Sequence, residues 1–209
     1  MKMKSLVYAF GILVAIYFLG THGYLRFLDP DGYKRNVSQF VSLNNADEYV
    51  IAELVTNESF AHKQCTKTLI NICIAWATFN ISFDAHYKYY IKLNELKYSV
   101  EGDALVFEIP ELYLSTPVGI DTANSMAQCQ KTLLGNCNKV ITSGTQLVSQ
   151  DLITKGNQSL PSVYDKAANS LANHFNEFQK DKLTWGSYKN IHVSFLKENS
   201  SSRRAFNFN

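Results

Sequence analysis

The chain writes one ten-residue phrase twice, as Gln64-Cys65-Thr66-Lys67-Thr68-Leu69-Ile70-Asn71-Ile72-Cys73 and as Gln128-Cys129-Gln130-Lys131-Thr132-Leu133-Leu134-Gly135-Asn136-Cys137. Six positions are identical and a seventh exchanges Ile for Leu, and the two phrases hold all four cysteines, each pair at C-x7-C spacing. An even cysteine count in matched pairs reads as a disulfide framework in an oxidising compartment. Eight residues of extended chain span about 26 Å, far beyond the roughly 7 Å that a disulfide tolerates between Cα atoms. Each phrase, if paired within itself, must therefore contain a reversal or a helix end. Gly135-Asn136 is the stronger turn signal and Ile70-Asn71 the weaker one.

Pairing Cys65 with Cys73 and Cys129 with Cys137 closes two short loops, each contributing about 2.6 kcal/mol on chain-entropy grounds, whereas a Cys65 to Cys129 link would contribute about 4.3 kcal/mol. The long link stabilises more, but the local link forms more readily, and duplicate phrases favour duplicate local closures. Crossed pairing and reduced or metal-bound thiols remain as alternatives. His62-Lys63-Gln64-Cys65 supplies an H-x2-C pair, yet C-x7-C lies outside the two-to-four spacing of structural zinc sites. No C-x-x-C is present to lower a thiol pKa for redox work. We expect no metal and no cofactor.

The amino-terminal segment sets the second constraint. Lys2 and Lys4 precede a run from Ser5 to Leu25 free of Asp, Glu, Lys and Arg. As a helix it would reach about 31 Å, the thickness of a bilayer's hydrocarbon core. Thr21-His22-Gly23 before Tyr24 matches the small-x-small cleavage pattern poorly, which favours an uncleaved anchor over a removed signal peptide. Lys2 and Lys4 on one flank against Arg26, Lys34 and Arg35 on the other leave the positive-inside rule nearly tied. Paired cysteines break the tie, since cytosolic thiols are kept reduced. The expected protein is single-pass, with its amino terminus cytoplasmic and its domain periplasmic or extracellular. The expected organisation is an anchor over 1–25, a connector over 26–48, an α+β domain over 49–196 and a flexible tail over 197–209.

Within the domain, Tyr49 to Thr56 reads as a strand, Ile70 to Phe83 as one strand or two, and Tyr87 to Leu93 as a strand with one wet face. Glu101-Gly102-Asp103 is a turn into the strand Ala104 to Ile109, which Pro110 closes. Thr122 to Leu134 has helical composition with Gly135 as its cap. Ser162 and Asp165 approximate a capping box for a helix whose Val163, Ala167, Leu171, Phe175 and Phe178 repeat at spacings of three and four. Asn169, Asn173, Asn176 and Lys180 fall on its polar side, and Gly186 ends it. Ile191 to Phe195 is the last predicted strand. The whole predicts a largely antiparallel sheet covered by a carboxyl-terminal amphipathic helix.

The run Ala104-Leu105-Val106-Phe107-Glu108-Ile109-Pro110, followed by Glu111, Ser115 and Gly119-Ile120-Asp121, then a late Ala-rich helix at Asp165 to Phe178 and a strand at Val193-Ser194-Phe195, resembles the bacterial membrane-anchored family catalogued as domain of unknown function 4230. The resemblance spans roughly residues 53–195 and consists of hydrophobic patterns rather than catalytic signatures. It implies an amino-terminal anchor and an extracytoplasmic α+β domain, and it supplies no activity or catalytic residues. The C-x7-C phrases depart from the family's pattern.

Chemistry-bearing motifs are generic. No G-x-S-x-G, phosphate-cradling glycine loop or H-E-x-x-H occurs. A formal net charge of +2 without a basic stripe gives no reason to expect nucleic acid. Histidines 86, 174 and 192 each fall inside predicted elements, where a lone histidine is most often structural. Glu108, Glu111 and Asp121 bracket a strand end. The leading expectation is a non-enzymatic anchored domain that binds a partner in the envelope or serves it structurally. A hydrolase-type enzyme would need Glu108, Asp121 and a histidine to converge in a cleft. A cleaved, secreted factor is the third reading.

Overall fold

The computed structural model describes residues 38–41, 48–67, 69–181, 188–198 and 203–208. The expected anchor over 1–25 and most of the connector lie outside the described residues. Among the described residues, no helix is long and apolar enough to cross a membrane. The described residues form an α+β domain, with two mostly antiparallel sheets and two long helices rather than one sheet and one helix.

The first sheet is built on a long hairpin of β1 (Glu48–Lys67) and β2 (Cys73–Lys92). Along β2, Ala75, Ala77, Phe79, Phe83, Ala85, Tyr87, Tyr89 and Ile91 are buried, half-buried Ile81 packs against the core in the same series, and the residues alternating with them face the other side. That period of two runs unbroken, which is why the segments expected as separate strands are one. The other edge of β2 carries β5 (Tyr113–Leu114) near one end and β6 (Gly119–Lys131) along the rest.

The second sheet has the order β3 (Lys97–Glu101), β4 (Ala104–Ile109), β7 (Asn190–Phe195), β8 (Arg204–Asn207). Strands β3 and β4 are joined through Glu101-Gly102-Asp103, β7 runs parallel to β4, and β8 runs antiparallel to β7. The tail expected over 197–209 thus includes an edge strand. Arg204 lies over the Phe195 ring and grips Glu198 through two hydrogen bonds of 2.7 Å. It also pairs with Asp165. Composition hid this strand because Asn199 to Arg204 is polar, whereas its pairing depends on distant β7.

Helix α1 (Cys137–Gln158) and helix α2 (Leu160–Asp181) cover the inner faces. Expected helix Thr122 to Leu134 is instead β6 and a turn, and α1 begins only after it. Asn136 caps α1 by accepting from the Lys139 N–H at 3.1 Å, and Gly135 precedes it where any Cβ would collide with the Trp76 carbonyl. On α2, Ser162 does not cap; its hydroxyl donates to the Ser159 carbonyl at 2.7 Å. Val163, Ala167, Leu171 and Phe175 form the buried stripe as expected, and Phe178 packs at its margin. Asn176 departs from the expected polar side and is buried. Gly186 lies outside the described residues.

The main core gathers β2, β4, β7 and α2 around Phe175, whose ring lies 5.4 Å from Phe40, 5.1 Å from Phe107 and 6.2 Å from Phe178. Phe40 sits in the helical turn over 38–41, so the expected connector donates a core residue. A second, much smaller cluster joins Ala77, Phe79 and Val140 near the far end of the hairpin. Strands of 20 residues run about 65 Å, whereas a compact domain of this length has a radius of gyration near 15 Å. The hairpin therefore outreaches the main core, and the small cluster holds what projects.

Candidate functional site

The projecting end carries both copies of the repeated phrase. Cys65 pairs with Cys73, with Cα atoms 5.8 Å apart, and Cys129 pairs with Cys137 at 6.0 Å. Both links are local, as the duplicated spacing favoured. The first staples the turn between β1 and β2; the second staples the turn between β6 and α1.

The two turns lie on opposite edges of β2, and Trp76 joins them. Cys65 stands opposite Trp76 in the β1–β2 register. On the other edge, the Thr132 N–H donates to the Trp76 carbonyl at 2.9 Å, and the Thr132 hydroxyl both accepts from the Trp76 N–H at 2.9 Å and donates to its carbonyl at 3.2 Å. One β2 residue therefore fixes both phrases side by side. Close packing continues into α1, where a Cβ on Gly144 would come within 2.7 Å of the Phe79 ring.

Beyond each staple the apolar half of the phrase meets no core. Leu69 and Leu133 are 108% and 97% exposed, and Ile70, Ile72 and Leu134 are exposed beside them. Single exposed apolar residues are ordinary, but a cluster at one end marks an interaction site. A disulfide behind each turn removes the conformational freedom that docking would otherwise have to freeze out.

Charge is distributed just as unevenly. Stretches 59–83 and 122–150, which make up this end, contain no Asp or Glu, although the chain has 18 of them. They contain Lys63, Lys67, Lys131 and Lys139. The ammonium of Lys63 lies 4.4 Å from the centre of the Trp76 ring. Among the described residues, the ion pairs all involve other side chains.

The carboxylates and histidines singled out from the sequence do not gather. Glu108 is on the second sheet, opposite Lys97 and Ser194. Asp121 is on the first, opposite Asp84, and its carboxylate accepts from the Ala123 N–H at 2.9 Å and the Asn124 amide at 3.1 Å. Glu111 pairs with Lys197 at 2.7 Å. His86 Nδ1 is 2.9 Å from Glu53, and His174 Nδ1 shares a 2.5 Å hydrogen bond with the Tyr49 hydroxyl. His192 sits in β7 with its Nδ1 buried and, among the described residues, without a hydrogen-bond partner. Among the described residues, no group of three or more His, Cys, Asp or Glu side chains is placed to hold a metal.

A polar cluster that sequence reasoning missed lies where the main core gives way to the projecting end. Glu58 on β1 accepts from the Thr56 hydroxyl at 2.7 Å, from the Tyr87 hydroxyl at 3.3 Å and from Lys155 at 2.8 Å, and Lys155 also reaches Asp151 at 3.0 Å. Burial pushes the Glu58 carboxyl up, but hydrogen bonds from Lys155 and Thr56 outweigh it and leave the group below the usual carboxylate value. Burial, then the Glu58 charge, raises the Tyr87 hydroxyl to about 12. The cluster welds α1 to β1. Because the folded pKa of Glu58 is depressed, its stabilisation is present above the unfolded value and is lost as pH falls through the folded one. Glu58→Gln should cost about 2 kcal/mol at neutral pH, less than a fully buried pair because Lys155 is partly solvated. The cost should shrink as pH falls below the ordinary carboxylate value and on through the lower folded one, where Glu58 protonates in the parent as well. Urea unfolding of both proteins across that range tests this; an equal cost at both ends would mean that the Glu58 charge contributes nothing.

Fold and site together define an α+β domain that projects a doubly stapled, acid-free apolar tip. No family model matches the chain, and neither a curated protein nor a solved structure matches it.

Proposed function

We propose that this chain is a membrane-anchored extracytoplasmic domain whose role is to bind rather than to catalyse, and that the stapled tip is its docking element. The observation that carries the reading is the fate of the repeated phrase: both copies present exposed leucines, both are braced by a disulfide, and both are fastened to Trp76. Exposing that much apolar surface is unfavourable in water unless something covers it. Disulfide pairing supports an oxidising compartment, and the Ser5 to Leu25 run supplies an anchor of bilayer length.

A photo-crosslinking side chain placed at Leu133, and separately at exposed Lys180 on α2, tests this in the cell that makes the protein. Adducts, to protein or to lipid, are expected from position 133 and not from 180. Leu69→Asp combined with Leu133→Asp should abolish any interaction of the tip while shifting the thermal midpoint by no more than about 2 °C, because surface substitutions away from packed features rarely change stability. Position 133 yielding no adduct would remove the docking role.

A further inference from the structure

We infer that the tip's partner is an anionic lipid surface, which the apolar turns enter while the lysines behind them hold the headgroups. The inference rests on the docking role proposed above and names the partner of that same site.

Shape is the first ground. Leu69 and Ile70 on one turn and Leu133 and Leu134 on the other project from the end of the hairpin. Because the apolar side chains sit on two separate turns, a protein partner would have to match both in register, whereas the hydrocarbon of a bilayer accepts them at any spacing. Hydrogen bonding is the second. Two backbone donors of the second turn are satisfied internally, the Thr132 N–H by the Trp76 carbonyl and the Gly135 N–H by the Thr132 carbonyl, both at 2.9 Å, which lowers the cost of bringing that turn near hydrocarbon.

Charge complementarity is the third and decides between partners. Stretches 59–83 and 122–150, which hold Lys63, Lys67, Lys131 and Lys139, hold no Asp or Glu. A surface of that sign is drawn to anionic headgroups, each lysine near the membrane strengthening binding about fivefold. Trp76 fits the same boundary: its ring is partly exposed, carries Lys63 on its face and sits one step behind the leucines, the depth at which tryptophan collects in interfacial belts.

The test uses the full chain carrying Trp185→Phe, which leaves Trp76 as the sole tryptophan. It is mixed with vesicles of phosphatidylcholine alone, or of phosphatidylcholine with phosphatidylglycerol, each containing bromine-labelled lipid. Expected results are a blue shift and quenching of Trp76 with phosphatidylglycerol present, binding at least about 20-fold weaker without it, and loss of quenching in the variant that also carries Leu69→Asp and Leu133→Asp. Equal quenching in that variant would mean that the amino-terminal segment merely brings the domain near the bilayer, and would overturn the inference. So would a Trp76 shift that grows with protein concentration before vesicles are added, which assigns the tip to a second copy of the chain. Absence of quenching together with protein adducts at position 133 removes the lipid and keeps the docking role; absence of both removes both. Should Trp185→Phe fail to fold, lipid adducts from position 133 in the chain with Trp185 intact report the same contact, and adducts to protein alone overturn it.

Discussion

Phe175→Ala lowers the free energy of unfolding by about 4 kcal/mol, the upper part of the range for deleting a buried aromatic ring. Its ring is 1% exposed and touches three different parts of the fold: Phe40 from the turn over 38–41, Phe107 from β4, and Phe178 from its own helix. These neighbours belong to a helix, a sheet and an incoming chain segment, so they cannot collapse together into the space that the ring leaves. Domains are commonly stable by only about 5–15 kcal/mol, so the variant is expected to fold marginally. Urea unfolding followed by circular dichroism measures the loss. A cost under about 1 kcal/mol would show that the aromatic cluster relaxes freely and is not the hub of the core.

Replacing all four cysteines by serine has the second large effect, and it is local. On chain-entropy grounds the two staples together contribute about 5 kcal/mol if they act independently. Among the described residues, the projecting end has beneath it the small cluster of Ala77, Phe79 and Val140, with Ile81, Cys129 and Ile141 against it, so it depends on the staples more than the main core does. Amide exchange is expected to accelerate sharply at Ala75 to Phe79 and at Cys129 to Thr132, while Tyr87 to Ile91 and Leu105 to Ile109 keep their protection. Hydrogen-exchange mass spectrometry of the parent and the serine variant reads this residue range by residue range. Uniform acceleration would show one cooperative unit instead of a core with a stapled extension.

How far the sequence foretold this fold follows from where each element's order originates. Ala104 to Ile109, Ile191 to Phe195 and the α2 stripe from Val163 to Phe175 are legible because their apolar residues recur densely at the period of their element and are themselves buried. Local cysteine pairing was legible because the phrase is written twice. Helix α1 was not, since its buried ladder is Val140, Gly144, Val148, Leu152 and Gly156, with glycine at two of five positions where close contact with β2 asks for small residues. Strand β6 was read as a helix because Thr122 to Lys131 is exposed or half-exposed throughout, with Ala, Met, Gln and Lys at positions that only pairing to β2 makes extended. As for the tip, Leu69-Ile70 and Leu133-Leu134 look like core residues to any pattern argument. Their exposure is set by the length of the hairpin, which no local window contains.

That length also decides how the molecule bears load. Glu48 begins β1, and the stapled turn follows its other end. A pull applied at Leu69 and resisted at Glu48 runs along the covalent backbone of β1. A strand rising about 3.3 Å per residue is already close to the roughly 3.6 Å limit of the chain, so β1 can lengthen little before it is taut. The Cys65–Cys73 bond stops the turn from paying out slack. Tension along this line is carried as in a short rope, by bonds that do not melt, and the hydrophobic core alongside is left unloaded.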